Sequence, residues 1–161
     1  MFSKKSMLPI GLILSIAFLF SPAMAELEIR HSKGQTVYVP IYSHIYTGDK
    51  EYSFLLTATL SIRNTDTANK ITILAVDYYD SNGKLLKKYL ETPIALNALA
   101  SSRYIVKESD KEGGSGAKFI IQWKSAHSVS PPVIESIMIG TRTQQGISFT
   151  SRGQVIKEDG Q

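Results

Sequence analysis

The chain contains no cysteine. Disulfide frameworks, thiol nucleophiles and cysteine-ligated zinc are excluded together, so stability has to come from packing. Imidazoles are also scarce: His31, His44 and His127 are the three present, and no two sit at i, i+2 or i, i+4. No metal site is therefore expected, and no cofactor. Charge of one sign is lacking too. Lysine and arginine number 18 against 14 acidic residues, two of the basic ones being Lys4 and Lys5 near the start. The remainder are scattered, with Lys87-Lys88 the one tight pair, which excludes the concentrated basic face of a nucleic-acid binder. After residue 25 there is no stretch of helical period longer than two turns, and no apolar run approaching the ~20 residues of a membrane span.

The one continuous apolar run, Met7 to Phe20, follows Lys4-Lys5 and precedes Ser21-Pro22-Ala23-Met24-Ala25. A basic start, a short apolar segment broken by Pro9 and Gly11, and small residues at Ala23 and Ala25 make a Sec-type signal peptide, with cleavage expected after Ala25. Without a cysteine there is no lipid acceptor at that point. The expected product is a soluble exported protein, periplasmic or else secreted, with no stable membrane insertion. Residues 26–161 are enough for one domain that buries roughly two thirds of its unfolded surface. We read residues 26–35 as a polar leader, 36–152 as the domain and 153–161 as a tail polar enough to fray.

Strand signals fill that domain. From Phe54 to Asn64, Phe54, Leu56, Ala58, Leu60 and Ile62 share one face and Leu55, Thr57, Thr59, Ser61 and Arg63 the other. The run ends at Asn64-Thr65-Asp66-Thr67, residues that bond their own backbone, and a second run follows from Ile71 to Tyr79. The two are expected to form a central antiparallel pair. Thr36 to Tyr46 alternates as well, with Val37, Val39, Ile41 and Ile45 opposite Tyr38, Pro40, Tyr42, His44 and Tyr46; Pro40 predicts a sheet edge or a bulge. Asn82-Gly83 between apolar runs predicts a hairpin. Thr92 to Ala100 loses alternation at Pro93 and is expected to cross between sheets, with room for a short helical turn. Ser102 to Lys107, Ala117 to Lys124, Val133 to Gly140 and Gly146 to Arg152 read as further strands, the third stretch from the end placing Phe119, Ile121 and Trp123 on one face. Glu108 to Gly116 and Ser125 to Pro132 read as loops. Seven or eight short antiparallel strands predict an all-β, two-sheet sandwich of immunoglobulin-like kind, with a small barrel as the alternative.

Several of these segments also carry a resemblance. GQTVYVPIYSHIY from Gly34, LTATLSIRNTD from Leu56, VDYYDSNGKL from Val76, GGSGAKFIIQW from Gly113 and GISFTSRG from Gly146 together resemble the bacterial family catalogued as domain of unknown function 3124. The resemblance spans nearly all of the chain after the leader. It implies a short exported single-domain protein of no established activity, and it carries over no catalytic or ligand-binding residue.

Candidate chemistry is thin. Gly113-Gly114-Ser115-Gly116-Ala117 has the G-x-S-x-A spacing of a nucleophile elbow, which needs a strand before it and a helix after it, whereas the residues that follow alternate as a strand. A P-loop is excluded because no Gly-Lys-Ser/Thr follows. A mobile hairpin loop accounts for the glycines, or an anion-binding nest of backbone amides. Glycosidase carboxylates would be drawn from Asp77, Asp80, Glu108, Asp110 and Glu112, residues more often simply solvated at hairpin loops. No catalytic residue is assigned, and the protein is expected not to be an enzyme. The strongest functional signal is the row Tyr38, Tyr42, His44 and Tyr46: an exposed row would suit a contact surface, a buried one a second half-core. These four are the expected binding residues. The partner expected is an envelope protein or a glycan, with carbohydrate binding by the same tyrosines and Trp123 as the alternative, and hydrolysis from Ser115 a distant third.

Overall fold

The structure, a computed structural model, describes residues 30–141 and 146–159. The expected signal peptide lies outside the described residues, as does most of the connection between the last two predicted strands. Among the described residues no helix is long and apolar enough to cross a membrane.

The described residues form twelve strands. In chain order they are β1 (Ser32–Pro40), β2 (His44–Thr47), β3 (Tyr52–Leu55), β4 (Thr57–Arg63), β5 (Ile71–Tyr79), β6 (Leu85–Lys88), β7 (Ile94–Leu96), β8 (Ser101–Val106), β9 (Lys118–Val129), β10 (Val133–Gly140), β11 (Ile147–Arg152) and β12 (Gln154–Glu158). One sheet has the order β12-β1-β9-β5-β6, with β7 on the same flank of β5 as β6. A second has the order β11-β10-β4-β8, and β2 pairs with β3 alone. Every pairing is antiparallel and none of the sheets closes into a barrel, so the architecture is a β-sandwich.

Alternation fills the space between the two large sheets. Leu56, Ala58, Leu60 and Ile62 face Val37, Val39, Phe119, Ile121 and Trp123, all buried, as the period-two pattern predicts. Each fully buried side chain of this size contributes about 1.5–3 kcal/mol relative to its exposed state. In β5 a bulge between Ile73 and Ala75 shifts the phase, so that Ile71 and Ile73 are buried before it and Val76 and Tyr78 after it. The hairpin between β5 and β6 forms where Asn82-Gly83 predicts it. Only Gly83 takes a positive φ there, 84°, while the Asp80 carboxylate accepts the amides of Asn82 at 2.9 Å and Lys84 at 2.8 Å.

Several expectations are corrected by hydrogen bonding over long sequence separations. β4 and β5 do not pair: they belong to opposite sheets, and the turn residues between them carry the chain across. Asn64, 2% exposed, shares its side-chain amide among the carbonyls of Asn69, Leu96 and Asn97, which ties this crossing to the β7–β8 crossing. The run from Phe54 is two strands, divided at Leu56, whose amide bonds to the carbonyl of Ser43 at 2.9 Å. β1 is second from the edge rather than at it, because residues 154–158, expected to fray, pair with it as β12. The proline argument holds locally all the same. Ile41 N–H bonds toward β9, so the nitrogen of Pro40 faces away from it, past Tyr38, the last β1 residue with a β12 partner. A bulge does occur on this flank, between Thr36 and Val37. Finally, of the loop expected from Ser125 to Pro132 the first five residues are the end of β9, and the 92–100 crossing contains β7 in place of a helical turn.

Candidate functional site

The expected row of four side chains is divided among three settings. Tyr38 lies half-buried on β1 between Gln154 of β12 and Ile120 of β9. Tyr42, in the bend after β1, is half-buried with its ring edge-on to Phe149 of β11 at 5.5 Å. That contact makes it part of the sandwich packing. His44 and Tyr46 alone come together, on β2, with rings 5.1 Å apart and His44 Nε2 3.2 Å from the Tyr46 hydroxyl. Across the hairpin Tyr52 on β3 is 63% exposed and Tyr46 55%. Tyr52 escaped the sequence reading because it follows a polar loop and begins its strand. Trp123 is fully buried, so it cannot stack on a sugar beside these tyrosines.

The glycine-rich loop, expected to be mobile, is hydrogen-bonded on both sides. Ser43 N–H donates to Gly114 O at 3.1 Å, and Gly114 N–H returns a bond to Ser43 Oγ at 2.9 Å. On the other side Ser81 N–H donates to Gly113 O at 2.9 Å, and Gly116 N–H donates to Ser81 Oγ at 3.0 Å. Two amides that an anion nest would use are thus satisfied by serine hydroxyls. The glycines are needed for close approach: a Cβ at Gly113 would overlap the Tyr78 hydroxyl, and Gly114 has φ 80°. The strand β9 follows this loop where an elbow would have a helix. The hydrogen bonds of His44 go to Ser43 and Tyr46, not to Ser115. Among the described residues, no three histidine or carboxylate side chains gather at metal-binding distance.

Residues 109–112, just before the glycines, form one wall of a groove of about 450 Å³. Its position follows from topology, because β6 and β8 are the edges of their respective sheets on the same flank of the sandwich. Tyr89, just past β6, spans the gap: its hydroxyl donates to the Ile105 carbonyl of β8 at 2.9 Å. Its ring meets Tyr104 at 5.6 Å and Phe119 at 5.5 Å edge-on, and Lys87 Nζ stands 4.3 Å from its centroid. Tyr78 closes the floor, 1% exposed, and its hydroxyl finds no hydrogen-bond partner among the described residues. Burial first, and then the charge of Asp110, raise the ionisation of both Tyr78 and Tyr89 above the usual tyrosine range. Of the carboxylates considered from sequence, Asp110 and Glu112 border this groove, Asp80 is engaged in its own turn, and Asp77 lies opposite Lys88 in the sheet. Sequence reasoning missed the groove because its walls come from the β5–β6 hairpin and residues 105–112, which belong to different sheets and meet only in the fold.

Comparison with known proteins gives little chemistry. No curated protein matches the chain. A crystal structure described as Thermotoga maritima 1070 is similar at a TM-score of 0.46 and 13% identity, over 80% of this chain and 98% of that one. A family model described as a protein of unknown function, DUF3124, matches residues 34–156. That span runs from the start of β1 into β12 and takes in both sheets, the hairpin and the groove, so the chain belongs to the DUF3124 family.

Proposed function

We propose that this protein is an exported, non-enzymatic binding module of the bacterial cell envelope, which captures or helps assemble another envelope protein through its β2–β3 hairpin. The observation that carries the reading is the hairpin itself: a two-stranded sheet outside both main sheets, bearing Tyr46 and Tyr52 at more than half exposure. Tyrosine offers rigid area with a polar tip and is enriched at protein contacts. A hairpin whose outer edges pair with no other strand among the described residues can also receive an added strand. Export rests on the signal-peptide reading of residues 1–25, and the non-enzymatic part on His44, whose hydrogen bonds among the described residues go to Ser43 and Tyr46 and not to Ser115.

The test is affinity capture from envelope extracts with the wild-type protein and a Tyr46→Ala, Tyr52→Ala double variant checked by circular dichroism. Loss of ~2 kcal/mol, the scale of an interface hot spot, weakens affinity about thirtyfold and abolishes capture. Equal capture by a folded double variant overturns the hairpin as the contact surface. Tyr42 is unsuitable for this test because truncation would remove its packing on Phe149.

A further inference from the structure

We propose that the outward face of the sheet containing β4 and β8 carries a binding site for a phosphate group, held between Arg63 and Arg103. This site is independent of the β2–β3 hairpin, which forms a sheet of its own.

Strand register brings the site together. Ser61 of β4 stands between Arg103 of β8 and Glu135 of β10, and further along β4 Arg63 stands between Ser101 and Val133. With Thr59 and Ile137, the two arginines, Ser61 and Ser101 line an open pocket of about 280 Å³ whose lining includes no carboxylate. Arg63 and Arg103 are diagonal neighbours across the strand pair, within reach of one another's long side chains. Two like charges so placed repel, and an anion between them relieves the repulsion.

Arg63 is oriented before any ligand arrives. Its Nε–H donates to Ser61 Oγ at 3.1 Å, and its Nη2 lies 3.4 Å from Glu135 Oε1. Ser61 is only 8% exposed, so it is a fixed post for that guanidinium. A guanidinium has five N–H donors, which leaves Arg63 with donors to spare on a side chain that is half open to solvent. Arg103 is exposed and has no ion pair among the described residues. Glu135 does not neutralise the pocket, because Arg152 stands opposite it on β11: three guanidiniums against one carboxylate leave two positive charges in excess.

The donor set selects the anion. Two planar forks, with the hydroxyls of Ser101 and Thr59 beside them, offer more donors than the two oxygens of a carboxylate can use, whereas the tetrahedral oxygens of a phosphate can engage both forks at once. An acidic segment of another protein is the rival occupant, since Ile105, Val133 and Ile139 are exposed on the same face. Such a segment needs cations along its length, and the rows through Thr57 and Thr59 pair only with Ile105, Ile137, Ile139, Ser148 and Thr150. A soluble phosphate ester and an anionic lipid headgroup present the same oxyanion.

The experiment is chemical-shift mapping on isotope-labelled protein at constant ionic strength, titrated separately with inorganic phosphate, glycerol 1-phosphate, acetate and an acidic peptide. Co-sedimentation with vesicles of phosphatidylglycerol, and of phosphatidylcholine as control, runs beside it. The expected result is saturable perturbation centred on residues 61–63 and 101–103 by a phosphate and not by acetate. Arg103→Gln, which has no ion pair to lose, should bind about tenfold more weakly. Arg103→Lys keeps the charge without the fork and should also bind more weakly than wild type. Lys87→Gln, on the other sheet, and the Tyr46→Ala, Tyr52→Ala variant should bind normally, so failure here and failure of the hairpin reading are separately visible. Tighter binding to phosphatidylglycerol vesicles than to glycerol 1-phosphate would assign the site to a lipid headgroup, and the reverse to a soluble ester. The proposal is overturned if neither the free phosphates nor the phosphatidylglycerol vesicles bind at millimolar phosphate, if the shifts lie elsewhere, if Arg103→Gln binds as well as wild type, if acetate binds equally, or if only the acidic peptide perturbs this face.

Discussion

Tyr46 and Tyr52 on the β2–β3 hairpin, and Tyr78, Tyr89 and Tyr104 beneath the groove, are the same residue type in opposite settings. The difference lies in what stands behind each strand. A two-stranded hairpin is marginal alone and has no second layer to cover its outer residues. It is anchored by its base, where Leu55 is buried and Ile45 and Phe54 pack on the core. The other tyrosines lie between two sheets, where the rings of Tyr78 and Phe119 meet at a tilt with centroids 5.4 Å apart and Tyr89 adds edge contacts to both Tyr104 and Phe119. Aromatic side chains in the first region are free to contact another molecule, whereas those in the second hold the sandwich together and shape a floor.

The sharpest way to break this comparison is to truncate one member of each region. Phe119→Ala should cost about 3–5 kcal/mol in urea unfolding, through lost burial and the cavity left under Tyr78 and Tyr89. Tyr46→Ala should stay within about 0.5 kcal/mol, as exposed substitutions do. Similar costs would mean that the hairpin is structural.

Gly113→Ala comes next. A methyl there meets the Tyr78 hydroxyl and lies 3.0 Å from Ala117 Cβ, so the loop must lift from the sandwich. A loss of roughly 1–3 kcal/mol is expected, the usual cost of overpacking. Gly48→Ala in the hairpin meets nothing within 4 Å but has φ 70°, and should cost less, about 1 kcal/mol of backbone strain. Equal melting temperatures for the two variants would contradict the close approach at Gly113.

The smallest effect concerns protons. Tyr78 and Tyr89 have folded-state ionisation raised above the ordinary value near 10, so the folded state holds protons that the unfolded chain would release. The stability this contributes is complete below about pH 10 and is lost as pH rises from there through the folded value. Tyr78→Phe should unfold at neutral pH within about 1 kcal/mol of wild type, since it deletes an unpaired hydroxyl, and should lose less stability in alkali. An unchanged alkaline slope would show that Tyr78 is not the residue responsible.

Much of the fold was legible in the residues. Alternation at residues 56–62 and 119–123 identified side chains that are in fact buried, and Asn82-Gly83 marked a hairpin that exists. The turn chemistry of Asn64 and Asp66 was also visible, but not its use. Asp66 accepts the amides of Ala68 and Asn69, which lowers its carboxyl ionisation, and this local turn would look the same in a hairpin or a crossing. The chain changes sheets because β4 pairs with β8 and β10 while β5 pairs with β9, and the bonds from Asn64 to Leu96 and Asn97 brace that crossing. The candidate site was less legible. The row from Tyr38 to Tyr46 keeps its alternation through the bend between β1 and β2, so nothing in the pattern announces that Tyr42 packs on Phe149.

By itself, then, the order of side chains determined an all-β chain, the buried faces of residues 56–62 and 119–123 and the hairpin turn at Asn82-Gly83. Period two and turn chemistry are local properties, set within a few residues by sterics and short hydrogen bonds. Tertiary structure alone decided which strands pair, that β12 completes the edge beside β1, and that β6 and β8 end side by side with a groove between them. Those outcomes rest on backbone hydrogen bonds between distant segments, and every residue except proline brings the same donor and acceptor to them.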